Sequence, residues 1–584
     1  MANRTLLSPL DRIGLARPGV DAHTLGIFGV AQLLESCGFG VFIADAKVSE
    51  ALNRPDIPDA ISKVADWIIL SKITVLGISY RLDPKDGADR VERLVHELKT
   101  RRLCADKGAQ IKAIYFAGMP QTCLRVKQRV PEIADVFSGD ETPAETLERM
   151  GVPTLLIPKS VEEGIRYDQM RMDFGHALIR RGSHEGVKPV DRSGYPEFGT
   201  TSDSVVHRIE HSIKNGLPPV MRAHVGPFLQ DRAEAVKLFL EWSKTLAHSG
   251  FLDVLSIGSS QLTQSDFGGD WTGLPNGGGV PIHSADELEA VWKAARPMLV
   301  RTYAGTRNLK KMAEIHEKTI HQAWHALSIW WFCQLDGRGP YSVRENLQQQ
   351  MEALDFIGTT HTPFEANVSH HFAFRGADDV SYIVSGVLSA RTAKRRGVKS
   401  YVIQNMLNTP KATWGINDLA KSRALIKLIR SLEDKSFRVF LQPRGGLDYF
   451  SSDSVKAKAQ LAAVTALMDD IEPDNPASPE IIHVVSYSEG MELADPPVVD
   501  ESIRITRAAL DEYRSLRKKG DVPDMAANPD VINRTAELLA EVQIVLEAIE
   551  KVIPDPYSAE GLYKILEMGF LPVPYLWNCR EEFV

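Results

Sequence analysis

Three residues near the amino terminus have types and a spacing that suit the binding of a metal-containing group. They occur in the segment Asp21-Ala-His23-Thr-Leu-Gly26, directly before an apolar run. A neutral imidazole can ligate a metal, and a nearby carboxylate that accepts the other ring N–H fixes its tautomer. A glycine leaves room where a large ligand passes close to the backbone. The same residues would also suit the cap of an ordinary first helix, so the hexapeptide alone does not decide between the two.

The segment resembles the DxHxxG motif of proteins that bind cobalamin with its own base displaced and a histidine on the cobalt. The resemblance implies that His23 is the lower cobalt ligand and that Asp21 orients it. It also implies a slot for the displaced nucleotide tail, formed at the ends of later strands. The residues expected at this slot are Ser79, Arg81, Ala117, Gly118, Gly139 and Thr142. The chain departs from the motif family in having Ser79-Tyr80-Arg81 for Ser-x-Leu and Ala117-Gly118 for two glycines.

The elements that must position this motif alternate between strand-like and helical patterns over residues 1–158, which is typical of a doubly wound parallel sheet. We predict a flavodoxin-like, cobalamin-binding α/β domain there, followed by a polar connector over 159–216. The predicted strands are Arg12–Ala16, Gly40–Ile43, Val75–Ser79, Ile111–Phe116 and Val136–Phe137.

A second series of strand-like segments begins near residue 217, and helical stretches separate its members. Eight strand–helix units over ~280 residues are typical of a (β/α)₈ (TIM) barrel, which we predict over 217–500, with a C-terminal helical extension over 501–584. The predicted strands are Pro219–Val225, Val254–Gly258, Met298–Tyr303, Ser328–Cys333, Phe356–Thr360, Ser400–Asn405, Arg438–Gln442 and Ile481–Ser486.

Residues 250–584 resemble the large (epsilon) subunit of glutamate mutase, also called methylaspartate mutase, and the first domain resembles its small cobalamin subunit. Similar stretches are Leu274-Pro-Asn-Gly-Gly-Gly-Val280, Val300-Arg-Thr-Tyr-Ala-Gly-Thr306, Gln442-Pro-Arg-Gly-Gly446 and Glu567-Met-Gly-Phe-Leu-Pro-Val-Pro574. The resemblance implies a fusion of the two subunits that uses adenosylcobalamin, base-off and His-on. The implied activity is a radical isomerisation, the rearrangement of the carbon skeleton of a small carboxylic or amino acid.

The resemblance also implies roles for two residues of the barrel. Arg301 matches an arginine that binds a substrate carboxylate, and Glu489 matches a glutamate near the adenosyl ribose. Four further strand-end residues are predicted to belong to the catalytic site by position. They are Tyr303, Arg444, His361 and Gln404.

Other positions of the substrate site depart from the family. Its arginines after strands two and five are missing from Gly258–Gln264 and from Thr360-His361-Thr-Pro. We therefore expect a substrate that keeps one carboxylate, bound by Arg301, and is otherwise less charged or differently shaped. The pair His370-His371 is predicted to have a surface or capping role, because adjacent helical residues face different ways.

Composition narrows the other possibilities. A formal net charge of −8 argues against a nucleic-acid partner, and the chain lacks the ~18–20 apolar residues in a row that a membrane span needs. Five scattered cysteines favour a reducing cytoplasm. We expect a homodimer acting on a small carboxylate. The alternatives are a corrinoid-dependent methyltransferase and a non-catalytic cobalamin-binding protein.

Overall fold

The chain belongs to the α/β class, and all pairings between its strands are parallel in the described residues. The structure is a computed structural model that describes residues 6–21, 25–104, 108–139, 141–274, 276, 278–410, 413–489, 494–574 and 576. It divides into two compact units, the first comprising 1–168 with 410–414 and the second 169–409 with 415–584. No helix in these ranges is both long and apolar enough to span a membrane.

The first unit alternates strands with helices. Its elements are β1 (Arg12–Ala16), α1 (Leu25–Ser36), β2 (Gly40–Ile43), α2 (Ala46–Ala51), α3 (Pro58–Leu70), β3 (Val75–Tyr80), α4 (Pro84–Thr100), β4 (Ala113–Gly118), α5 (Pro120–Arg129), β5 (Ile133–Phe137) and α6 (Pro143–Arg149). Helix α7 (Lys159–Arg181) follows, and the division between the units falls within it.

The five strands of this unit lie in the order β2-β1-β3-β4-β5. Successive residues of β4 belong to two different apolar clusters, Ile114 and Phe116 to one and Ala113 and Tyr115 to the other. This alternation is the period of two expected for a strand covered on both faces. The order reverses direction between β1 and β3, and such switch points are where open α/β sheets bind ligands.

The second unit also alternates strands with helices, and a run of helices ends it. Its elements are α8 (Val205–Asn215), β6 (Val220–Val225), α9 (Arg232–Ser249), β7 (Val254–Ile257), α10 (Gln261–Ser265), α11 (Ala285–Ala295), β8 (Leu299–Arg301), α12 (Leu309–Thr319), β9 (His325–Leu327), α13 (Val343–Thr359), β10 (Phe364–Ala366), α14 (Ser369–Ala373), α15 (Asp379–Arg395), β11 (Ser400–Leu407), α16 (Gly415–Arg430), β12 (Arg438–Gly445), α17 (Ser454–Asp469), β13 (Ile481–Val484), α18 (Pro496–Lys519), α19 (Pro529–Val552) and α20 (Ala559–Glu567).

Local sequence signals set many of these helix ends. Ser342 begins α13 as a capping box with Glu345, each side chain accepting a backbone N–H of the other residue. Gly250 ends α9 with a φ of 72°, a left-handed conformation that glycine adopts without a steric penalty.

This unit has two four-stranded sheets, in the orders β13-β6-β7-β8 and β12-β11-β10-β9, and both contribute residues to one apolar cluster. The first residues of several strands meet in one apolar cluster at the amino ends of the strands, and Val205 and Ile209 of α8 cover it. The strand residues of this cluster are Val220, Val254, Leu299, Val402, Phe440 and Ile481. Two residues further along several of these strands, the interior side chains are polar.

Two predicted barrel strands are wrong. Residues 356–359 end α13, whose buried Leu347, Met351, Leu354 and Ile357 follow the helical period, and the strand is Phe364–Ala366 instead. Likewise the strand predicted at 328–333 is a loop, and β9 precedes it. Both true strands are only three residues long, and β10 carries a buried glutamate, so neither resembles an apolar run in the sequence.

Two predicted boundaries fall beside or inside helices. The connector predicted over 159–216 contains α7 and α8, and the extension predicted from 501 begins within α18. Helix α18 packs against α17 and α9, so it belongs with the helices that surround the strands.

A buried ionic network ties the segment before β6 to the amino ends of the strands. Asp253 accepts hydrogen bonds from Arg192 Nη2 (2.5 Å) and from the amide of Met221 (3.0 Å). Arg208 donates to the Asp253 carbonyl (3.1 Å) and pairs with Asp203 (2.5 Å). Both arginines are almost completely buried, and Asp253 is the close ion-pair partner of Arg192, as Asp203 is of Arg208.

The variant Asp253→Asn should therefore lower the free energy of unfolding of the second unit by about 3–5 kcal/mol, because it leaves buried guanidinium charge unpaired. Urea denaturation followed by tryptophan fluorescence measures this, since most tryptophans lie in that unit. Glu210→Gln is the control, because it breaks an exposed pair with Arg438 and should cost about 1 kcal/mol or less. Equal effects of the two substitutions would contradict the role given to Asp253.

Candidate functional site

The second unit contains a cavity of about 520 Å³ at the carboxyl ends of its strands. Its lining comes from the segments that follow β7, β8, β9, β10 and β12, together with residues of the carboxyl halves of β11 and β12. The lining residues are Gln261, Gln264, Tyr303, Thr306, Phe332, Arg338, Asn367, His370, His371, Phe374, Gln404, Met406, Arg444 and Leu447. The side chains are mainly polar, with aromatic and aliphatic groups among them.

Hydrogen bonds between strand ends order one wall of this cavity. Gln404 Nε2 donates to Asn367 Oδ1 (3.0 Å), and Asn367 Nδ2 donates to the Tyr303 hydroxyl (2.8 Å). Because the Tyr303 oxygen accepts this bond, its own hydrogen is free to point elsewhere. Gln404 Oε1 is buried without a hydrogen-bond partner. The wall therefore offers both a hydroxyl donor and an amide acceptor to a ligand.

The adjacent histidines lie at this cavity, so the predicted surface or capping role of His370-His371 is wrong. Both rings are buried, and their centroids are 4.4 Å apart. They follow β10, the fifth strand of the second unit, and lie on the short helix α14, which directs both rings inward. Burial lowers the pKa of both imidazoles well below its usual value, and the charges of Arg444 and Arg375 act in the same direction. Both rings are therefore neutral near pH 7.

Two wholly buried arginines lie in the interior near the cavity. The Arg222 guanidinium bonds Ser256 Oγ (2.6 Å) and also contacts the rings of His224 and His483. The Nε, Nη1 and Nη2 atoms of Arg301 have no hydrogen-bond partner, and its guanidinium lies 4.7 Å from the centre of the Tyr303 ring. Burial, together with the charge of Arg301, lowers the pKa of Arg222 to about 9.

Glu365 on β10 supplies the counter-charge for this pair. Its Oε2 accepts hydrogen bonds from Trp324 Nε1 and Gln442 Nε2, both at 2.8 Å. Its Oε1 faces Arg301 Nη2 at 3.6 Å, within ion-pair range but too long for a hydrogen bond. One carboxylate is thus the counter-ion of two guanidinium groups, so this part of the interior carries a net positive charge.

Arg444 brings further positive charge to the cavity, and Glu489 opposes it. Burial lowers the pKa of Arg444, and the negative charge of Glu489 partly offsets that shift. Burial raises the pKa of Glu489, although its carboxylate accepts the amide of Ser486 (2.9 Å).

The structure groups some of the predicted site residues and separates others. Tyr303, Gln404 and Arg444 line the cavity, whereas Arg301 lies beneath the Tyr303 ring and does not line it. His361 is exposed and precedes β10, at the opposite end of the sheet, where its Nδ1 lies 3.2 Å from Lys399 Nζ. The error arises because the fifth strand of the second unit was predicted at Phe356–Thr360, which would place His361 after it, whereas β10 spans Phe364–Ala366.

Several residues of the site were not identified from the sequence. Asn367, His370 and His371 directly follow β10, so the misassigned strand concealed their position. Glu365 was missed because an acidic residue in the middle of a three-residue strand has no pattern of its own. The signal for this strand in the sequence is the group of polar residues that follows Phe364-Glu365-Ala366.

In the first unit, Asp21, the first residue of the cobalamin-type motif, follows β1 at the switch point. His23 lies outside the described residues, and Gly26 is the second residue of α1. Asp21 is fully buried after β1, and its Oδ2 accepts the amide of Arg81 after β3 (2.7 Å). This bond joins the two loops on either side of the switch point.

The other predicted cofactor residues lie at the neighbouring strand ends. Ser79 pairs in register with Ala117, and Ala117 with Phe137. Gly139 has a φ of 88°, and a Cβ there would lie 3.1 Å from the Arg81 guanidinium. Gly118 is already required by packing, because a Cβ would lie 2.7 Å from the Tyr80 carbonyl. Thr142 caps α6, its hydroxyl accepting the Glu145 amide (3.2 Å).

Comparison with known proteins gives no identification. No model of a known protein family matches the chain. A search of curated proteins finds no significant match either.

The Arg301–Glu365 pair gives a direct test of the charge arrangement. Glu365→Gln should lower the free energy of unfolding by about 3–5 kcal/mol, because it leaves Arg301 buried without a counter-charge. The double variant Arg301→Met/Glu365→Gln should recover much of the loss, with a coupling energy of about 2 kcal/mol in a double-mutant cycle. Additive losses in urea denaturation would mean that the two side chains do not interact.

Proposed function

We propose that the chain is an adenosylcobalamin-dependent carbon-skeleton mutase with a modified substrate site. The observation that carries this proposal is the position of the Asp21-x-His23-x-x-Gly26 motif. It follows β1 at the switch point of a sheet in the order 2-1-3-4-5, where doubly wound domains bind cofactors. In this proposal the first unit is the flavodoxin-like cobalamin domain and the second is a (β/α)₈ barrel.

The residues of the first unit fit a cobalamin at the histidine loop. Asp21 is buried and its carboxylate accepts the Arg81 amide, so the first residue of the motif is held at the end of β1. A carboxylate in this position can orient a ligating imidazole. Ser79 and Arg81 supply polar groups for the nucleotide tail. Gly139 has no side chain, so the segment after β5 leaves space beside them. Thr142 and Gly118 fit less specifically, since capping and packing already account for them.

The arrangement of the second unit supports the barrel. Residues of both sheets form one apolar cluster at the amino ends of the strands, and polar side chains form the next layer, as in the stacked interior layers of barrels. The cavity lies at the carboxyl ends of the strands, where barrel enzymes hold their active sites.

When bound, adenosylcobalamin supplies the radical that removes and later returns a substrate hydrogen atom. The chain's own residues have to bind and orient the substrate. Arg444 and Arg338 line the cavity and can bind a carboxylate through two parallel hydrogen bonds. Tyr303 donates its free hydroxyl hydrogen, while Phe332 and Phe374 exclude water from reactive carbon. The neutral histidines offer hydrogen bonds rather than acidic protons.

Cobalt ligation predicts the behaviour of a single variant. His23→Gln should weaken cobalamin binding by about 10- to 100-fold or more, because the lower axial ligand is lost. His96→Gln, at an exposed position on α4, is the matched control and should bind as the unmodified protein does. Titration followed by cobalamin absorbance measures both. Equal binding by the two variants would refute the assignment of His23.

The reaction class predicts a spectroscopic result. Protein loaded with adenosylcobalamin should develop a radical signal in electron paramagnetic resonance only when its substrate is added. Demethylation of methylcobalamin without any radical would instead identify a methyltransferase. Tight binding with neither response to any tested acid would identify a non-catalytic cobalamin protein.

A further inference from the structure

The cavity of the second unit lacks a counter-charge for an amine. No aspartate or glutamate occurs among its described lining residues, whereas two arginines do. The nearby Glu365 is already engaged by Trp324, Gln442 and Arg301, and Glu489 accepts the Ser486 amide. A substrate ammonium group would therefore meet positive charge without a carboxylate to pair with among the described lining residues.

The two lining arginines lie toward opposite sides of one sheet. Arg338 follows β9 and Arg444 ends β12, and these are the edge strands in the order β12-β11-β10-β9. Strands β10 and β11 lie between these two edge strands in the sheet. Two flexible guanidinium side chains reaching inward from such positions can hold the two ends of one small molecule.

Neutral hydrogen-bonding groups lie between the arginines. Arg375 Nη1 lies 3.5 Å from His371 Nδ1, and an arginine can only donate, so the neutral ring carries its hydrogen on Nε2. This Nε2 is buried and has no partner. Gln404 Oε1, on the next strand, is likewise buried without a partner. The middle of the cavity thus offers one donor and one acceptor, both uncharged.

We propose that the substrate is a small dicarboxylate without an amino group, with one carboxylate on Arg444 and the other on Arg338. His371 and Gln404 contact the carbon chain between them or a polar substituent on it. This inference names the substrate class of the reaction proposed above and so rests on that proposal. It also replaces the sequence-based expectation of a single carboxylate bound by Arg301, since Arg301 is enclosed beneath Tyr303.

Calorimetric titration of the full chain, with and without adenosylcobalamin, tests the substrate class. The probes are succinate and glutarate, their amino counterparts L-aspartate and L-glutamate, and the monocarboxylate butyrate. At least one plain dicarboxylate should bind about tenfold or more tightly than its amino counterpart and than butyrate, which corresponds to about 1.4 kcal/mol. Arg444→Gln and Arg338→Gln should each remove that preference.

Arg438→Gln is the matched control, because it changes an exposed arginine at the other end of β12 and should leave binding intact. Circular dichroism and urea denaturation followed by tryptophan fluorescence establish that the second unit of each variant is folded. Tighter binding of the amino acids, equal binding of butyrate, or no binding of any probe would each overturn the inference. If the unmodified chain binds the dicarboxylate but does not bind cobalamin, the proposed function is overturned and the inferred ligand class stands.

Discussion

The stability of the second unit depends on how the positive charge buried in its interior is paired. Arg222 and Arg301 are wholly buried, and Glu365 is the carboxylate that faces them. Burying an unpaired charge costs several kcal/mol, so this arrangement needs the hydrogen bonds of Trp324 and Gln442 that hold Glu365 in place. The excess positive charge lies close to the cavity and favours an anionic ligand. Burial, with this charge acting in the same direction, lowers the pKa of the neighbouring histidines and keeps them neutral.

The first unit depends on a different constraint, which is the connection between two loops at a switch point. A buried carboxylate at Asp21 fixes the loop after β1 to the backbone after β3. The small residues at the neighbouring strand ends leave space beside it. This arrangement supports cofactor binding at the carboxyl edge of the sheet.

The α/β class and most of the elements could be predicted because they rest on strong periodic signals. The strands at Arg12–Ala16 and Gly40–Ile43 match their predicted limits. The strands β9 and β10 could not be found this way, since each has three residues and β10 contains a buried charge. That error displaced His361 into the predicted site and kept His371 and Asn367 out of it. Tyr303, Gln404 and Arg444 could be predicted because they end strands with clear apolar runs. The depth of Arg301 could not, because burial beneath a neighbouring ring depends on three-dimensional packing.

The proposed function requires that a histidine of this chain ligates the cobalt of a bound cobalamin. Electron paramagnetic resonance of the reduced Co(II) form tests it most directly, using protein whose histidines carry ¹⁵N. Ligation by His23 predicts that each cobalt line is split into two by one ¹⁵N nucleus. Splitting into three by the ¹⁴N of the cofactor's own base, unchanged by the labelling, would contradict the account.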